Sequence, residues 1–461
     1  MIDPTTHAQR RSDLAARVAA PVLLLANGVR NRNLPYAALP FRQDSTFLYF
    51  TGCDLPGAAT LLDDGRCVLY VPQPAEDDVL WHGAVAGPDA LRDQYGVDEV
   101  RWIGDLPNDI PIGTRTLAVP DEARNREASG WTGIPLSFGD RFGSPDLADA
   151  VIAMRRTKSP AEVAELRRAV AVSIRAHRAV WRATLPGGSE RGLAALFHAI
   201  CESSGCTTGY ETILTQRGEV LHNHAHDGVL EKGRMLLLDG GAEVPSGYTA
   251  DLTRVCPVGG VWDPRQRAAY DAVLHANRVA IGRVAPGADY RSIHFAAALV
   301  IARFLVDEGV LRCSPDTAVE TGAHALFFPH GVGHLLGLDV HDLKQFGDRG
   351  AYPPGVGRSA QFGLSYLRLN LPMEPGMVVT IEPGFYAVPA ILHDPHLRAL
   401  HRDVVDFDRA ERWMGFGGIR IEDDVLCTTD GHEVLSEGLP KDAEAVAAEV
   451  GHGPFPENLW G

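Results

Sequence analysis

The sequence predicts an α+β chain of two domains, a smaller mixed α/β domain over residues 1–153 and a larger one over 154–461. Three observations carry this reading. A length of 461 residues exceeds one ordinary domain. Helix and strand patterns fall in segregated groups instead of alternating along the chain. Between residues 150 and 158, short strands and turns give way to a strong helix start.

In the first half, "PVLLLANG" and "STFLYFTG" are apolar runs ended by turn residues, and both are expected as strands. "ATLLDDGRCVLYVP" is expected as a hairpin turning at Asp64-Gly65, a pair that accepts the positive φ of tight turns. "PDALRDQYG" has proline at its start and glycine beyond its end, which predicts a short helix, and "TLAVPD" is expected as a further strand. In the second half, Ser159-Pro160-Ala161-Glu162 is a capping box with proline at the first helical position. Val163, Leu166, Val170 and Ile174 follow at helical spacing, and Gly187-Gly188 is expected to stop that helix. Further helices are expected over about 190–203, from Asp263-Pro264 onward, and over about 291–309, with strands between and after them.

Composition excludes some partners. The net charge of −16 argues against nucleic acid and gives no basic patch for an acidic membrane. No run reaches the roughly 18 apolar residues of a membrane span. "PVLLLA" is short and follows charged residues, unlike a signal peptide. The seven cysteines are scattered, and Cys201 and Cys206 lack a zinc or redox spacing, so free thiols in a reducing, cytoplasmic setting are expected.

Acids at strand ends carry the chemistry. "RMLLLDGGAEVPSGYTADLTRV" (234–255) reads as a hairpin whose turn centres near residue 245, which would set Asp239 and Asp251 opposite each other. Like charges across a ladder repel and raise each other's pKa. A divalent cation between them removes both problems; the plainer alternative leaves one aspartate in the turn. Glu382 ends the run "VVTI", where burial makes an acid unusual. In "GGIRIEDDVLCT", Ile419, Ile421 and Val425 share one face and Arg420 and Glu422 the other, which by itself also fits a solvated ion pair. "FFPHGVGHLLGLDVHD" (327–342) holds His330, His334 and His341. Its His-x-x-x-His lacks the glutamate of the helical zinc motif, and Gly331 and Gly333 disfavour helix. Four carboxylates and one imidazole, without cysteine, suit two five- or six-coordinate divalent ions better than a structural zinc.

With these residues in place, "LLLDGGAE", "YTADLTR", "HGVGHLLGLDVHD", "VTIEPGFY" and "IRIEDD" together resemble, in order, the motifs of the creatinase and aminopeptidase family with the "pita-bread" fold. More narrowly, the chain is similar to aminopeptidase P and prolidase, which cleave Xaa-Pro bonds. "FRQDSTFLYFTGCDLPG" resembles their N-terminal domain and "MRRTKSPAEVAELRRA" the entry helix of their catalytic domain, so the likeness covers nearly the whole chain.

The resemblance implies an N-terminal domain of creatinase and aminopeptidase P type over 1–153 and a pita-bread domain, an antiparallel sheet flanked by helices, over 154–461. It implies two divalent ions, Mn²⁺ first and Co²⁺ or Zn²⁺ also fitting, held by Asp239, Asp251, His334, Glu382 and Glu422. Asp251 and Glu422 would bridge the ions. Glu382 would shuttle the proton, and His341 would hydrogen-bond the scissile carbonyl oxygen. His222, His330 and His341 match the substrate-site histidines, with His222 chosen from "HNHAH" by its spacing of 17 residues before Asp239. Arg420 and Tyr210 match groups that support the ligands. "GLSYLR" looks like prolidase, and Arg368, 14 residues before Glu382, would clamp the C-terminal carboxylate of a dipeptide. Small proline-containing peptides are the expected substrates, and a homo-dimer or tetramer the expected assembly. The alternative substrates are longer Xaa-Pro-Xaa peptides, as for aminopeptidase P. A lyase, another hydrolase or a scaffold on the same fold would be expected to have lost ligands or histidines that this chain keeps.

Overall fold

A computed structural model of the chain describes residues 2–34, 37–75 and 77–453. Contacts divide it into two units, 1–156 with 343–350 and 157–342 with 351–461. Among the described residues, no helix is long and apolar enough to cross a membrane.

The first unit is built on a mixed sheet of Val22–Leu25 (β1), Ala59–Asp63 (β2), Arg66–Val71 (β3), Glu99–Trp102 (β4) and Arg115–Thr116 (β5), in the order β4-β3-β2-β1-β5. The hairpin β2–β3 turns at Asp64-Gly65, both with positive φ, as its sequence demands. Every second residue faces one side: Leu23 and Leu25, Ala59 and Leu61, Val68 and Tyr70 pack with Leu106, Val119, Ala128 and Leu136.

Two expected strands differ. "STFLYFT" is a helix, Ser45–Thr51, with all seven residues buried. Its ends explain why: the Asp44 side chain accepts from the Phe47 N–H at 2.8 Å, and Gly52 closes the helix in the left-handed region. Two good caps outweigh the strand preference of the aromatic run. "TLAVPD" contributes only Thr116 to β5. Beyond it, Ala118 donates to the Phe142 carbonyl, and the Asn125 amide takes both the N–H and the C=O of Val119.

In the second unit every named strand pair is antiparallel. Helices Pro160–Ala183 (α1) and Glu190–Ser203 (α2) pack together, as do Pro264–Ile281 (α3) and Tyr290–Asp307 (α4). The expected capping box of Ser159 with Glu162 forms, and the structure adds a second, Asp263 with Gln266. The first helix ends at Ala183, four residues before Gly187, because Leu185 precedes Pro186 and is driven out of helical φ/ψ.

Strands Ile213–Thr215 (β6), Met235–Asp239 (β7) and Thr253–Pro257 (β8) form one sheet. Val378–Ile381 (β9), Gly384–Tyr386 (β10), Gly418–Arg420 (β11) and Asp423–Cys427 (β12) form a long hairpin interrupted once in each strand. Its register continues across the gap: Ile381 faces Asp423 and Gly384 faces Arg420, so Glu382 falls opposite Glu422. At the gap the Glu422 N–H turns to the Thr253 carbonyl, 3.0 Å away, and so ties this hairpin to β8.

Candidate metal centre

The two aspartates sit on the other hairpin, in a register shifted from expectation. Asp239 pairs with Thr253, not with Asp251, because the turn centres on Ser246 instead of Pro245. Asp251 and Thr253 are two residues apart and share a face, so Asp239 and Asp251 remain diagonal neighbours. The Tyr210 hydroxyl spans them, bonding Asp239 Oδ1 at 2.7 Å and also Asp251 Oδ1.

The histidine-rich segment is neither helix nor free loop. Val332 to Leu336 run antiparallel to β9, with Glu382 N–H to Val332 O at 2.7 Å, Thr380 N–H to His334 O at 2.9 Å and Leu336 N–H to Val378 O at 3.0 Å. Gly333 lies against the Thr380 carbonyl and the Tyr290 hydroxyl, where a Cβ would collide. The glycine therefore serves this close approach to β9.

Donor atoms of Asp251, His334 and Glu422 lie within 4.8 Å of one another, and all three residues are buried. Glu382 Oε1 is 3.6 Å and Asp251 Oδ2 3.3 Å from His334 Nε2. Asp239 flanks them, paired with the Arg420 guanidinium. Arg420 also donates to Thr253 Oγ1 and to Tyr386 Oη, each at 3.0 Å. Thr253 passes the contact on, its hydroxyl donating to Glu422 Oε2 at 2.6 Å.

The donor set fits a cation. His334 Nδ1 lies 3.0 Å from the Leu335 carbonyl, which can only accept, so Nδ1 carries the proton. Nε2 is then the ring nitrogen turned toward two carboxylates, whose oxygens offer lone pairs. Burial raises the pKa of Asp251, Glu382 and Glu422, and neighbouring acids add to it: Asp239 on Asp251, Asp251 on Glu382, Asp251 and Glu382 on Glu422. Crowded buried acids around one imidazole nitrogen are what a divalent ion compensates.

The remaining candidates surround this group. His330 Nδ1 bonds the Gly331 carbonyl at 2.8 Å, leaving Nε2 to accept from the Tyr386 hydroxyl at 2.9 Å; Glu382 Oε2 is 3.8 Å away. Burial, then Arg420, lowers the His330 pKa to about 3, so the ring is neutral. His341 stands edge-on to His334, ring centres 4.5 Å apart, and its Nε2 accepts from Arg368. His222 is exposed on a turn, stacked on His224 with centres 6.5 Å apart. Asp342, the acid that ends the histidine-rich segment, pairs with buried Lys158 at 2.9 Å.

Residues 164–429 match the model of metallopeptidase family M24. The chain belongs to this family. An M24 assignment accounts for more than half of the chain, and residues 7–117 separately match the aminopeptidase P N-terminal domain. Xaa-Pro aminopeptidase 2 of Streptomyces coelicolor is 33% identical over 96% of this chain and 90% of its own length. The human Xaa-Pro dipeptidase is 30% identical over 95% and 90%. The fold matches aminopeptidase PepP of Pseudomonas aeruginosa with a TM-score of 0.80 at 30% identity, over 97% of this chain and 98% of that one. It matches E. coli aminopeptidase P, solved with the inhibitor Pro-Leu, with a TM-score of 0.78 at 26% identity, over 97% and 98%. The chain is thus an M24 metallopeptidase, and these M24 relatives are exopeptidases by name.

Motif reading passed over Thr253, Tyr386 and Asp424. All three lie inside quoted motifs, and period-two spacing from Asp251 would have put Thr253 on the ligand face. Asp424 is fully buried and accepts from the Asp251 N–H at 3.2 Å. Burial, then Asp251, raises its pKa far above the usual carboxylate range.

Proposed function

We propose that this metallo-exopeptidase hydrolyses the Xaa-Pro bond of short proline-containing peptides, Xaa-Pro dipeptides included. The observation that carries the reading is the position of Arg368. Its guanidinium sits on His341, which itself packs on His334, so a cationic fork stands beside the candidate metal centre. A guanidinium there suits the C-terminal carboxylate of a dipeptide. Release of the N-terminal residue from longer Xaa-Pro-Xaa peptides is the second reading, favoured by the aminopeptidase relatives.

Asp239, Asp251, His334, Glu382 and Glu422 are proposed to hold two divalent ions, Mn²⁺ first, with Co²⁺ and Zn²⁺ suited to the same donors. The ions supply Lewis acidity and lower the pKa of water at the site. Glu382, its carboxylate between His334 and His330, takes the proton of the attacking water and returns it to the leaving proline nitrogen. Arg368 can only donate, so it keeps the proton of neutral His341 on Nδ1. His341 is assigned to the carbonyl oxygen, and His330, neutral and held by Tyr386, to the wall of the proline site. His222 is assigned to the rim of the substrate site. Arg420 and Tyr210 orient the carboxylates. Proline brings no amide N–H, so a wall for its ring leaves no donor unpaired.

The test compares kcat/KM for Xaa-Pro and Xaa-Pro-Xaa on manganese-loaded enzyme. Preference for the tripeptide would overturn the dipeptide reading. Metal analysis comes first, since fewer than one ion per chain would sink the metallopeptidase chemistry. A cytoplasmic setting is supported by the seven free thiols, six of them buried. A homo-dimer or tetramer is supported by exposed Val79, Leu80 and Trp81, and a single-chain mass in sedimentation would refute it.

A further inference from the structure

Asn277 lies on α3, more than 100 residues from either glutamate of the centre, and is fully buried. Its amide nitrogen donates to two carbonyls, Ile381 O at 3.1 Å and Ile421 O at 3.2 Å. Those residues immediately precede Glu382 and Glu422. Both carbonyls lie where the long hairpin is interrupted, so the strand ladder offers them less than it offers their neighbours. Carbonyls only accept, so the amide orientation is unambiguous. The Asn277 oxygen is used as well, accepting from Lys441 Nζ at 3.1 Å. Lys441 also pairs with Asp423 at 2.8 Å, and Asp423 holds Arg254 at 2.7 Å. One buried side chain thus spans both strands at the point where each delivers a glutamate.

We infer that Asn277 is a positioning residue for the metal centre, clamping the two strand ends so that Glu382 and Glu422 converge. The clamp rests on the reading that these glutamates hold divalent ions. Two opposed carboxylates push their strands apart, and the interruption removes ladder bonds that would resist. A two-donor amide bridging the strands opposes that splay, and only Asn or Gln offers two donors and one acceptor in one neutral group.

The test uses the full chain, stripped by chelation and titrated with MnCl₂ while free Mn²⁺ is followed by electron paramagnetic resonance. Wild-type chain, Asn277→Leu, the isosteric Asn277→Asp and Val273→Ala are compared. Val273 is a buried residue of the same helix and serves as the destabilised control. Wild type is expected to bind two ions. Asn277→Leu should bind Mn²⁺ ~10- to 100-fold more weakly, the usual loss for groups that orient ligands. Asn277→Asp, with at most one donor, should also lose about tenfold or more, and it answers the question if the leucine variant fails to fold. Val273→Ala should lower the melting temperature while keeping wild-type affinity. Wild-type affinity in either Asn277 variant would overturn the clamp, and so would an equal loss in Val273→Ala. Wild type that binds no pair of ions would overturn the metal reading beneath it, a different result from the other two.

Discussion

Replacing Thr253 with valine isolates one link of the proposed centre without changing its volume. The hydroxyl donates to Glu422 Oε2 at 2.6 Å and accepts from Arg420 Nε at 3.0 Å, and all three residues are buried. Both bonds involve a charged partner, each worth about 1.5–3 kcal/mol. Valine leaves a buried carboxylate oxygen and a buried guanidinium N–H without that partner. Taking about 2 kcal/mol as surviving relaxation, and 1.36 kcal/mol per tenfold, the expected loss is about 30-fold. The loss should appear in Mn²⁺ affinity and in kcat/KM measured below metal saturation. Excess Mn²⁺ should recover much of the rate, since the chemistry does not use Thr253 directly. Thr253→Ser should behave as wild type within a few-fold, because it keeps the hydroxyl. Affinity within twofold of wild type in Thr253→Val would refute the idea that the Arg420–Thr253–Glu422 chain positions a ligand.

Four other outcomes are expected. Asp251→Ala should lose metal at both positions, since Asp251 is assigned as a bridge; two ions retained per chain by elemental analysis would refute the bridge. Arg368→Ala should lower kcat/KM for Xaa-Pro by ~100-fold and for Xaa-Pro-Xaa much less, as a carboxylate clamp requires; equal losses would remove the clamp. Lys158→Met should destabilise by about 3–5 kcal/mol in urea unfolding, because it removes the buried ammonium 2.9 Å from Asp342, and Lys158→Met with Asp342→Leu should regain part of it. His177, His294 and His324 are held neutral by burial, with pKa values lowered from 6.5 to about 4, 3 and 4. Their folded pKa values lie below the unfolded one, so the unfolded chain takes up protons first. Stability from these groups is complete above pH 6.5 and falls toward pH 4 by up to about 1.4 kcal/mol per unit per histidine. An unchanged denaturant midpoint between pH 7 and pH 5 would contradict this.

What could be read along the chain had a local cause. The capping box at Ser159, the helix start at Asp263-Pro264 and the Asp64-Gly65 turn depend on residues within a few positions, and all three form. Misreadings arose where a distant or competing contact decided. The run at 45–51 looked like a strand until its two caps were weighed together. The Asp239–Asp251 pairing was displaced because a turn centred on Ser246 shifts every partner by two. Both aspartates still reach one face, since a shift of two preserves the side on which a side chain points.

Residue types, and their order in five motifs, were determined by the sequence alone: four carboxylates, a histidine just after two glycines, no cysteine among the ligands. These belong to single residues and their immediate neighbours, so no folding is needed to see them. The tertiary structure decided what those groups face. It put Glu382 opposite Glu422 across a broken hairpin and aimed His334 Nε2 at two acids. It also turned Asp342 to Lys158 and brought Asn277 from a helix onto both strand ends. Each of these joins groups far apart along the chain, and such proximity exists only once strands are paired and helices packed on them.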